Sequence, residues 1–310
     1  MNMMKKVLVA TEKPFAAEAV DQIKEIATKA GYEIELLEKY TEKGDLLKAV
    51  ADADAMIIRS DIVDAEVLDA AKQLKIVVRA GAGYDNIDLA AASAHNVVAM
   101  NTPGQNSNAV AELAIGMMIF QARKQMSGKS GSELNGKTLG IHAYGNVGKC
   151  VATIAKGFGM EIYAYDPYVS KEAIEADGVH WVDTVQELYA KSQYVSLHLP
   201  ANAETKNSIG YQLLTSMPKP ATLVNTARKE VINEADLLKV FADRPDFCYI
   251  SDIEPVCGAE IKEKFNGRFF FTPKKMGAQT EEANVNAGLA AIRQIIDYFE
   301  KGDVRCQVNK

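Results

Sequence analysis

Histidine and cysteine are scarce: four of each in 310 residues, and neither set falls into a metal-ligating pattern. Cys150, Cys248, Cys257 and Cys306 show no CxxC pair and no zinc-type spacing, so reduced, packed thiols are expected and a metal site is not. Positive charge is not in excess either. Against 41 Asp and Glu stand 35 Lys and Arg, a net charge of −6, which argues against a nucleic-acid partner or an anionic membrane. A local basic patch on a small phosphorylated ligand remains compatible with that balance. No stretch approaches about 18 continuous apolar residues, and the N-terminus carries no signal-peptide cleavage pattern, so a soluble, cytoplasmic protein is expected. Internal repeats and low-complexity segments are absent.

What is present is a chain with enough apolar material, 48% of its residues, for two cores, as its length suggests. Short β-branched runs recur at Lys6–Thr11, Ala55–Ile58, Lys75–Val78 and Val97–Met100, between helical segments such as Phe15–Ala30 and Lys43–Ala51. Alternation of this kind predicts parallel sheets. Asn106-Ser107-Asn108 offers N-caps to a long, largely apolar helix over Ala109–Lys124, expected to be buried, and Gly128–Gly136 reads as a loop. Further strands are predicted at Ile162–Tyr165, Tyr194–Leu199, Ala221–Asn225, Tyr249–Ile253 and Phe269–Phe271. The acidic turn Glu281-Glu282 opens a last helix that stops near Gly302.

The most informative segment lies between Thr138 and Asp166. An apolar run leads into Ala143-Tyr144-Gly145-Asn146-Val147-Gly148, then a helical stretch, then Ile162-Tyr163-Ala164-Tyr165-Asp166. Strand, glycine turn, helix, strand and acid in that order suit a dinucleotide: glycines and a helix N-terminus approach the pyrophosphate, and the acid takes the ribose hydroxyls. Ala143 occupies the first glycine position. Asp166, with no arginine following it, favours NAD over NADP, whose 2′-phosphate it repels.

Four blocks together resemble the D-isomer-specific 2-hydroxyacid dehydrogenase family: Arg79–Asp88, Asn101–Asn108 running into Ala111-Glu112-Leu113, the glycine turn, and Val224-Asn225-Thr226-Ala227-Arg228. The resemblance implies two Rossmann-like doubly wound domains, with an NAD-binding domain at 105–281 inserted into a substrate domain made of 1–104 and 282–310. It also implies a homodimer through the nucleotide domain, with Ala109–Lys124 in or near the contact. By resemblance Tyr144, Gly145, Asn146, Val147, Asp166, Leu199, Thr205, Thr226, Ala227 and Asp252 serve the cofactor, Asp252 near the nicotinamide amide. The Ala82 and Gly83 amides receive the substrate carboxylate, Asn108 lies near the substrate, and Arg228 grips its carboxylate and carbonyl. A guanidinium there has a physical rationale of its own, since reduction of a 2-oxo acid builds negative charge on the carbonyl oxygen. Arg59 and Arg79 each end a strand run, and by resemblance both would address a substrate phosphate, a dianion suited to planar forks. The rival readings are a dehydrogenase of an unphosphorylated 2-hydroxy acid, which has no need of two arginines, and a non-catalytic NAD sensor on the same scaffold. Nothing follows Lys310 that could make a regulatory domain, so inhibition by serine at a separate site is not expected.

The family's catalytic His and its Glu partner are missing. His95, His142, His180 and His198 lie elsewhere, and the corresponding segment reads Thr272-Pro273-Lys274-Lys275-Met276-Gly277-Ala278-Gln279-Thr280. Anchoring on Met276–Thr280 puts Lys275 at the His position, and anchoring on Thr272-Pro273 puts Lys274 there; the first keeps the register into the next helix and is preferred. In the shortened segment Asp252–Cys257 the expected place of the acid partner is taken by Val256 or Cys257, and Glu254, which falls early, is the remaining candidate. A lysine does not need that carboxylate as an imidazole does, so the two losses are chemically coherent. His142 and His198, each in an apolar run, are expected to be packed beside the cofactor rather than to move protons.

Overall fold

The computed structural model describes residues 4–309, which form two compact units. One runs to Asn106 and resumes at Ala278; the other, Ser107–Gly277, is inserted between those segments.

In the first unit the strands β1 (Lys5–Thr11), β2 (Tyr32–Glu38), β3 (Ala55–Ile58), β4 (Ile76–Arg79) and β5 (Val98–Asn101) pair in parallel, in the order β2-β1-β3-β4-β5. Helices α1 (Ala17–Lys29), α2 (Lys43–Ala49), α3 (Ala65–Ala70) and α4 (Leu89–Ala94) connect them. Strands buried on both faces feed two cores. Val7, Val9, Ile57 and Val78 meet Ala19, Ile23 and Ala27 of α1, while Leu8, Ala10, Ile58 and Val77 meet Leu46, Val67 and Leu68. In this strand order the chain reverses direction between β1 and β3, and the crevice beyond the strand ends at such a switch point is where ligands gather in open α/β sheets. Arg59 directly follows β3.

The second unit opens with α5 (Ser107–Ala122), followed by β6 (Thr138–His142), α6 (Asn146–Gly157), β7 (Glu161–Tyr165), α7 (Lys171–Ala176), β8 (His180–Trp181), α8 (Val185–Lys191) and β9 (Tyr194–Leu197). It continues with α9 (Tyr211–Ser216), β10 (Thr222–Asn225), α10 (Glu234–Asp243), β11 (Cys248–Ser251), α11 (Gly258–Lys264) and β12 (Phe269–Phe271). Seven parallel strands lie in the order β12-β11-β10-β9-β6-β7-β8, with the switch point between β6 and β9. The buried α5 residues Ala111, Ala114, Ile115, Met117 and Met118 share a core with Leu139 and Ile141 of β6 and Val151 and Ala155 of α6. This helix starts at Ser107 and stops at Ala122, short of the expected Lys124, because Lys124, Gln125 and Met126 turn to positive φ of 53°, 56° and 56°.

The final helix α12 (Glu281–Lys301) returns to the first unit, where Ala287, Leu289, Ala291, Ile292 and Ile295 complete the core against β1 and α1. Its ends are those its sequence encodes. Thr280 Oγ1 accepts the Ala283 N–H at 3.1 Å, and Gly302 closes the helix in the left-handed conformation at φ 66°. Among the described residues no helix is long and apolar enough to cross a membrane.

Candidate active site

The glycine turn sits at the switch point of the second unit, between the end of β6 and α6. Ala143 adopts φ +78°, a left-handed conformation that costs a non-glycine residue about 1 kcal/mol. The turn packs tightly on the third position of the motif: a Cβ on Gly148 would stand 2.5 Å from the Ala143 carbonyl oxygen, so helix and turn can touch only through glycine. Gly145, by contrast, faces open space and caps α6 without a side-chain hydrogen bond. The amides of Asn146 and Val147, in the first turn of that helix, therefore offer an anion site of the kind a pyrophosphate fits.

Asp166, one residue past β7, is wired into this turn. Its Oδ2 accepts the Tyr144 N–H at 2.8 Å and its Oδ1 accepts the Tyr168 N–H at 2.8 Å. Tyr144 is buried, with its hydroxyl on Asp177 at 3.2 Å, so Tyr144 shapes the turn rather than offering a free donor. Leu199 is buried beyond β9, and Thr205 is tied within its own loop by Oγ1 contacts to Pro200 O at 2.5 Å and Asn202 Oδ1 at 3.1 Å. Among the described residues of this unit, two buried polar atoms just past the C-terminal ends of strands lack a partner, Thr226 Oγ1 and His198 Nε2. An open helix N-terminus, a strand-end acid and unpaired polar atoms together fit a dinucleotide.

His142 and His198 are half-buried, and desolvation pushes their pKa values down to about 4 and about 3, Asp166 opposing the first shift and His142 adding to the second. Both are neutral in the folded protein near pH 7. In the unfolded chain they protonate near pH ~6.5, so between that pH and the folded values the unfolded state binds more protons and stability falls as pH falls. The loss is roughly 1 kcal/mol per histidine per pH unit. A melting temperature that is level above pH ~6.5 and drops toward pH ~4 is expected, with His198→Asn flattening the drop; a level profile throughout, in the unsubstituted protein, would show that the imidazoles are solvated.

Beyond β10 the chain delivers Thr226, Ala227 and Arg228. Asn225 locks this loop, its Nδ2 donating to Arg228 O at 3.0 Å and its Oδ1 accepting the Ala227 N–H at 2.9 Å. Arg228 is exposed. Lys275 reaches the same loop, its Nζ donating to Ala227 O at 2.6 Å, and lies 3.4 Å from Asp252 Oδ1. Its side chain is 41% exposed, and the desolvation it does undergo lowers its pKa most; Asp252 raises it and Arg228 lowers it further. Lys274 is exposed and contributes a carbonyl, which accepts from Thr272 Oγ1 at 2.8 Å. Glu254 is exposed and its Oε2 holds Lys262 at 2.6 Å, so it is engaged elsewhere.

In the first unit Arg59 and Arg79 are neighbours with different surroundings. Arg59 spends its donors on the protein: Nη1 on Lys13 O and Pro14 O, both at 2.9 Å, and Nη2 on Asn284 Oδ1 at 2.6 Å. Arg79 donates Nε to Arg59 O at 3.0 Å, and among the described residues no acceptor meets its terminal nitrogens. Its guanidinium lies over Gly81, where the φ of +151° favours glycine and a Cβ would displace the guanidinium from its present place. Burial lowers both pKa values, and Arg59 adds to the effect on Arg79. Ala82 is exposed, Gly83 half-buried, and Asn101 Nδ2 ties the Ala82 carbonyl at 2.6 Å. Asn108 is a residue of α5 rather than its cap, with its amide on Glu112 at 2.7 Å.

Apart from Asn86 and Asn101, the supports of this corner belong to none of the four sequence blocks that point to the site. Asp61, 1% exposed, accepts the N–H groups of Glu12 at 2.7 Å and Arg59 at 3.1 Å and the Tyr40 hydroxyl at 2.8 Å. Asn86 holds the carbonyls of Arg59 and Asp61 at 3.3 and 2.7 Å. An acid two residues beyond a strand-end arginine is a usable signal for Asp61; nothing local marks Asn284.

Comparison with known proteins bears on this arrangement. A family model for the NAD-binding domain of D-isomer-specific 2-hydroxyacid dehydrogenases matches residues 107–255. The chain is 49% identical to a 3-phosphoglycerate dehydrogenase of Entamoeba histolytica, solved with NAD+ bound, with 99% of each chain covered and a TM-score of 0.84. It is 34% identical over 309 residues to a D-3-phosphoglycerate dehydrogenase of Methanocaldococcus jannaschii, covering 94% of this chain but 57% of that protein. A hydroxypyruvate reductase of Thermotoga maritima is 34% identical over 285 residues, with 85% of this chain and 90% of the relative covered. The chain thus spans little more than half the length of the archaeal phosphoglycerate dehydrogenase.

Proposed function

The chain belongs to the D-isomer-specific 2-hydroxyacid dehydrogenase family, and from this we propose that it is an NAD-dependent D-3-phosphoglycerate dehydrogenase interconverting 3-phospho-D-glycerate and 3-phosphohydroxypyruvate. The observation that carries the choice of substrate is Arg79, whose free terminal nitrogens lie over Gly81 beside a second arginine. A phosphate dianion suits that fork, and an unphosphorylated 2-oxo acid leaves it without use. We assign the inserted unit to the dinucleotide and the other to the substrate, whose carboxylate the Ala82 and Gly83 amides would receive, with Asn108 nearby.

When bound, NADH supplies the hydride that reduces the carbonyl carbon. The protein's part is electrostatic and protic. Arg228 stabilises the charge that develops on the carbonyl oxygen. Lys275, as ammonium, gives up a proton to that oxygen and as free amine takes it back in the oxidative direction. Asn146 and Val147 donate amides to the pyrophosphate, and Asp166 binds the ribose. Leu199, Thr205, Thr226, Ala227 and Asp252 are the remaining cofactor contacts in this reading. We also infer a homodimer formed through the α5 side of the nucleotide unit, which sedimentation of the purified protein tests.

The function is tested by initial rates with NADH on 3-phosphohydroxypyruvate, hydroxypyruvate and glyoxylate. The phosphorylated acid should be preferred by at least tens-fold in kcat/KM, the worth of a charge-assisted contact at roughly 1.5–3 kcal/mol; equal rates point to a reductase of smaller acids, and no turnover to an NAD sensor. For the cofactor, Asp166→Ala should weaken NADH binding and narrow its margin over NADPH. Because Asp166 also holds the Tyr144 amide, the turn loosens with it, and NADH is expected to lose more than NADPH gains. Turnover of NADPH as fast as NADH by the unsubstituted enzyme would sink the assignment.

A further inference from the structure

The family pairs its catalytic histidine with a glutamate; this chain has neither, and Glu254 is bound to Lys262. Yet Lys275 is not without an acid. Three acceptors surround its Nζ: Ala227 O at 2.6 Å, Thr226 O at 3.4 Å and Asp252 Oδ1 at 3.4 Å. An ammonium has three N–H groups, so this cage matches the charged form of the side chain. Asp252 itself is 0% exposed, at the end of β11, its own N–H donating to Asn225 O at 3.1 Å. Its Oδ2 accepts the Gly277 N–H at 3.1 Å, which fixes the carboxylate against the segment that carries Lys275. A wholly buried carboxylate needs compensation, and within this unit it has one amide and one cation.

We propose that Asp252 is the positioning residue for Lys275, holding Nζ on the Ala227–Arg228 loop and stabilising its ammonium form until the substrate oxygen draws the proton. This rests on the reading of Lys275 as proton donor. It gives Asp252 a task beyond the nicotinamide contact: an aspartate and a lysine together do what the glutamate and histidine do elsewhere in the family. In the reductive step an Nζ–H bond breaks, the electron pair stays on nitrogen and an O–H bond forms on the substrate. The amine keeps two N–H groups, enough for Ala227 O and one further acceptor. Arg228 and Glu230 also face the lysine; Arg228 disfavours its charge and Glu230 favours it.

The test is a cycle of Asp252→Asn, Lys275→Ala and the double variant. Asn preserves shape and can still accept the Gly277 N–H but removes the charge. In Asp252→Asn the apparent pKa governing oxidation, read at saturating NAD, should move down by about 1–3 pH units, the effect of losing an opposite charge at this range, whatever the variant does to cofactor affinity. An unmoved pH profile overturns the proposal and leaves Asp252 at most a cofactor contact. Thermal melts read the pair without turnover. Lys275→Ala strands a buried carboxylate and should lower the melting temperature, and adding Asp252→Asn should restore part of it; strictly additive losses overturn the pairing. Should Asp252→Asn fail to fold alone, folding of the double variant supports the pairing and its failure counts against it. If Lys275→Ala leaves kcat intact, it is the catalytic reading of Lys275 that falls, whatever the melts show.

Discussion

Lys275→Ala is expected to lower kcat by about 10²–10⁴-fold, the usual worth of general acid–base catalysis, while NADH affinity stays within a few-fold. An unperturbed lysine titrates near ~10.4, too high for an effective base at neutral pH. Here desolvation and the Arg228 charge push the pKa down, with Asp252 pulling against them, and the net direction is downward. The sign follows directly. Oxidation needs the free amine and should rise with pH through an apparent pKa below that of free lysine; reduction needs the ammonium and should fall through it. Lys274→Ala, at a residue whose carbonyl rather than its side chain makes the local bond, to Thr272, should be nearly silent. If Lys274→Ala were the crippling variant, the register into the last helix would be misread; if neither mattered, water would be the proton source.

Element type in this chain is legible wherever local signals agree. The last helix announces both ends, through Thr280, two acids and Gly302, and the structure places them there. The core strands are readable because, buried on both faces, they are continuous apolar runs. Tyr32–Glu38 escapes notice because Glu33, Glu35 and Glu38 interrupt its apolar residues, as suits a strand at the sheet edge with half-buried side chains. His180–Trp181, two residues at the opposite edge of the other sheet, is held by register with Tyr163 and Ala164 and has no pattern of its own. The strands expected at Tyr194–Leu199 and Tyr249–Ile253 end earlier in the structure, at Leu197 and Ser251, because the apolar Leu199 and Ile253 that extended the pattern lie past the last ladder pairs.

The candidate site is legible in its chemistry but not in its wiring. Spacing marks Asp166, yet its grip on the Tyr144 and Tyr168 amides depends on a turn geometry in which Ala143 takes a positive φ. For the acid partner the family's spacing falls on Val256 or Cys257 and leaves only the early Glu254 as a candidate, whereas the carboxylate beside Lys275 is Asp252, brought beneath that segment by β11 from 23 residues away in sequence. Side-chain-to-carbonyl bonds such as that from Lys275 to Ala227 leave no trace in a sequence, because any residue can supply the acceptor.

Arg59 and Arg79, alike in sequence, should respond differently to substitution. Arg79→Ala removes a guanidinium whose terminal nitrogens have no acceptor among the described residues, so folding should change little while KM for 3-phosphohydroxypyruvate rises. Each charge-assisted hydrogen bond is worth roughly 1.5–3 kcal/mol, so removing a bidentate pair should cost about 10²-fold or more. Hydroxypyruvate, lacking the phosphate, should notice the change only weakly. Arg59→Ala instead leaves the carbonyls of Lys13 and Pro14 and the Asn284 amide without their donor and uncovers the Phe15 ring that the guanidinium lies over. It should therefore lower the melting temperature as well as the affinity, because Arg59 joins the β1 and β3 ends to α12 within the first unit. Arg79→Lys is the discriminating control: it keeps the charge but not the fork, and should recover part of the phosphate affinity at most. Equal KM increases for the phosphorylated and unphosphorylated acids in Arg79→Ala would mean that this guanidinium shapes the Ala82-Gly83 turn rather than reading the phosphate, and the choice of 3-phosphoglycerate would lose its main support.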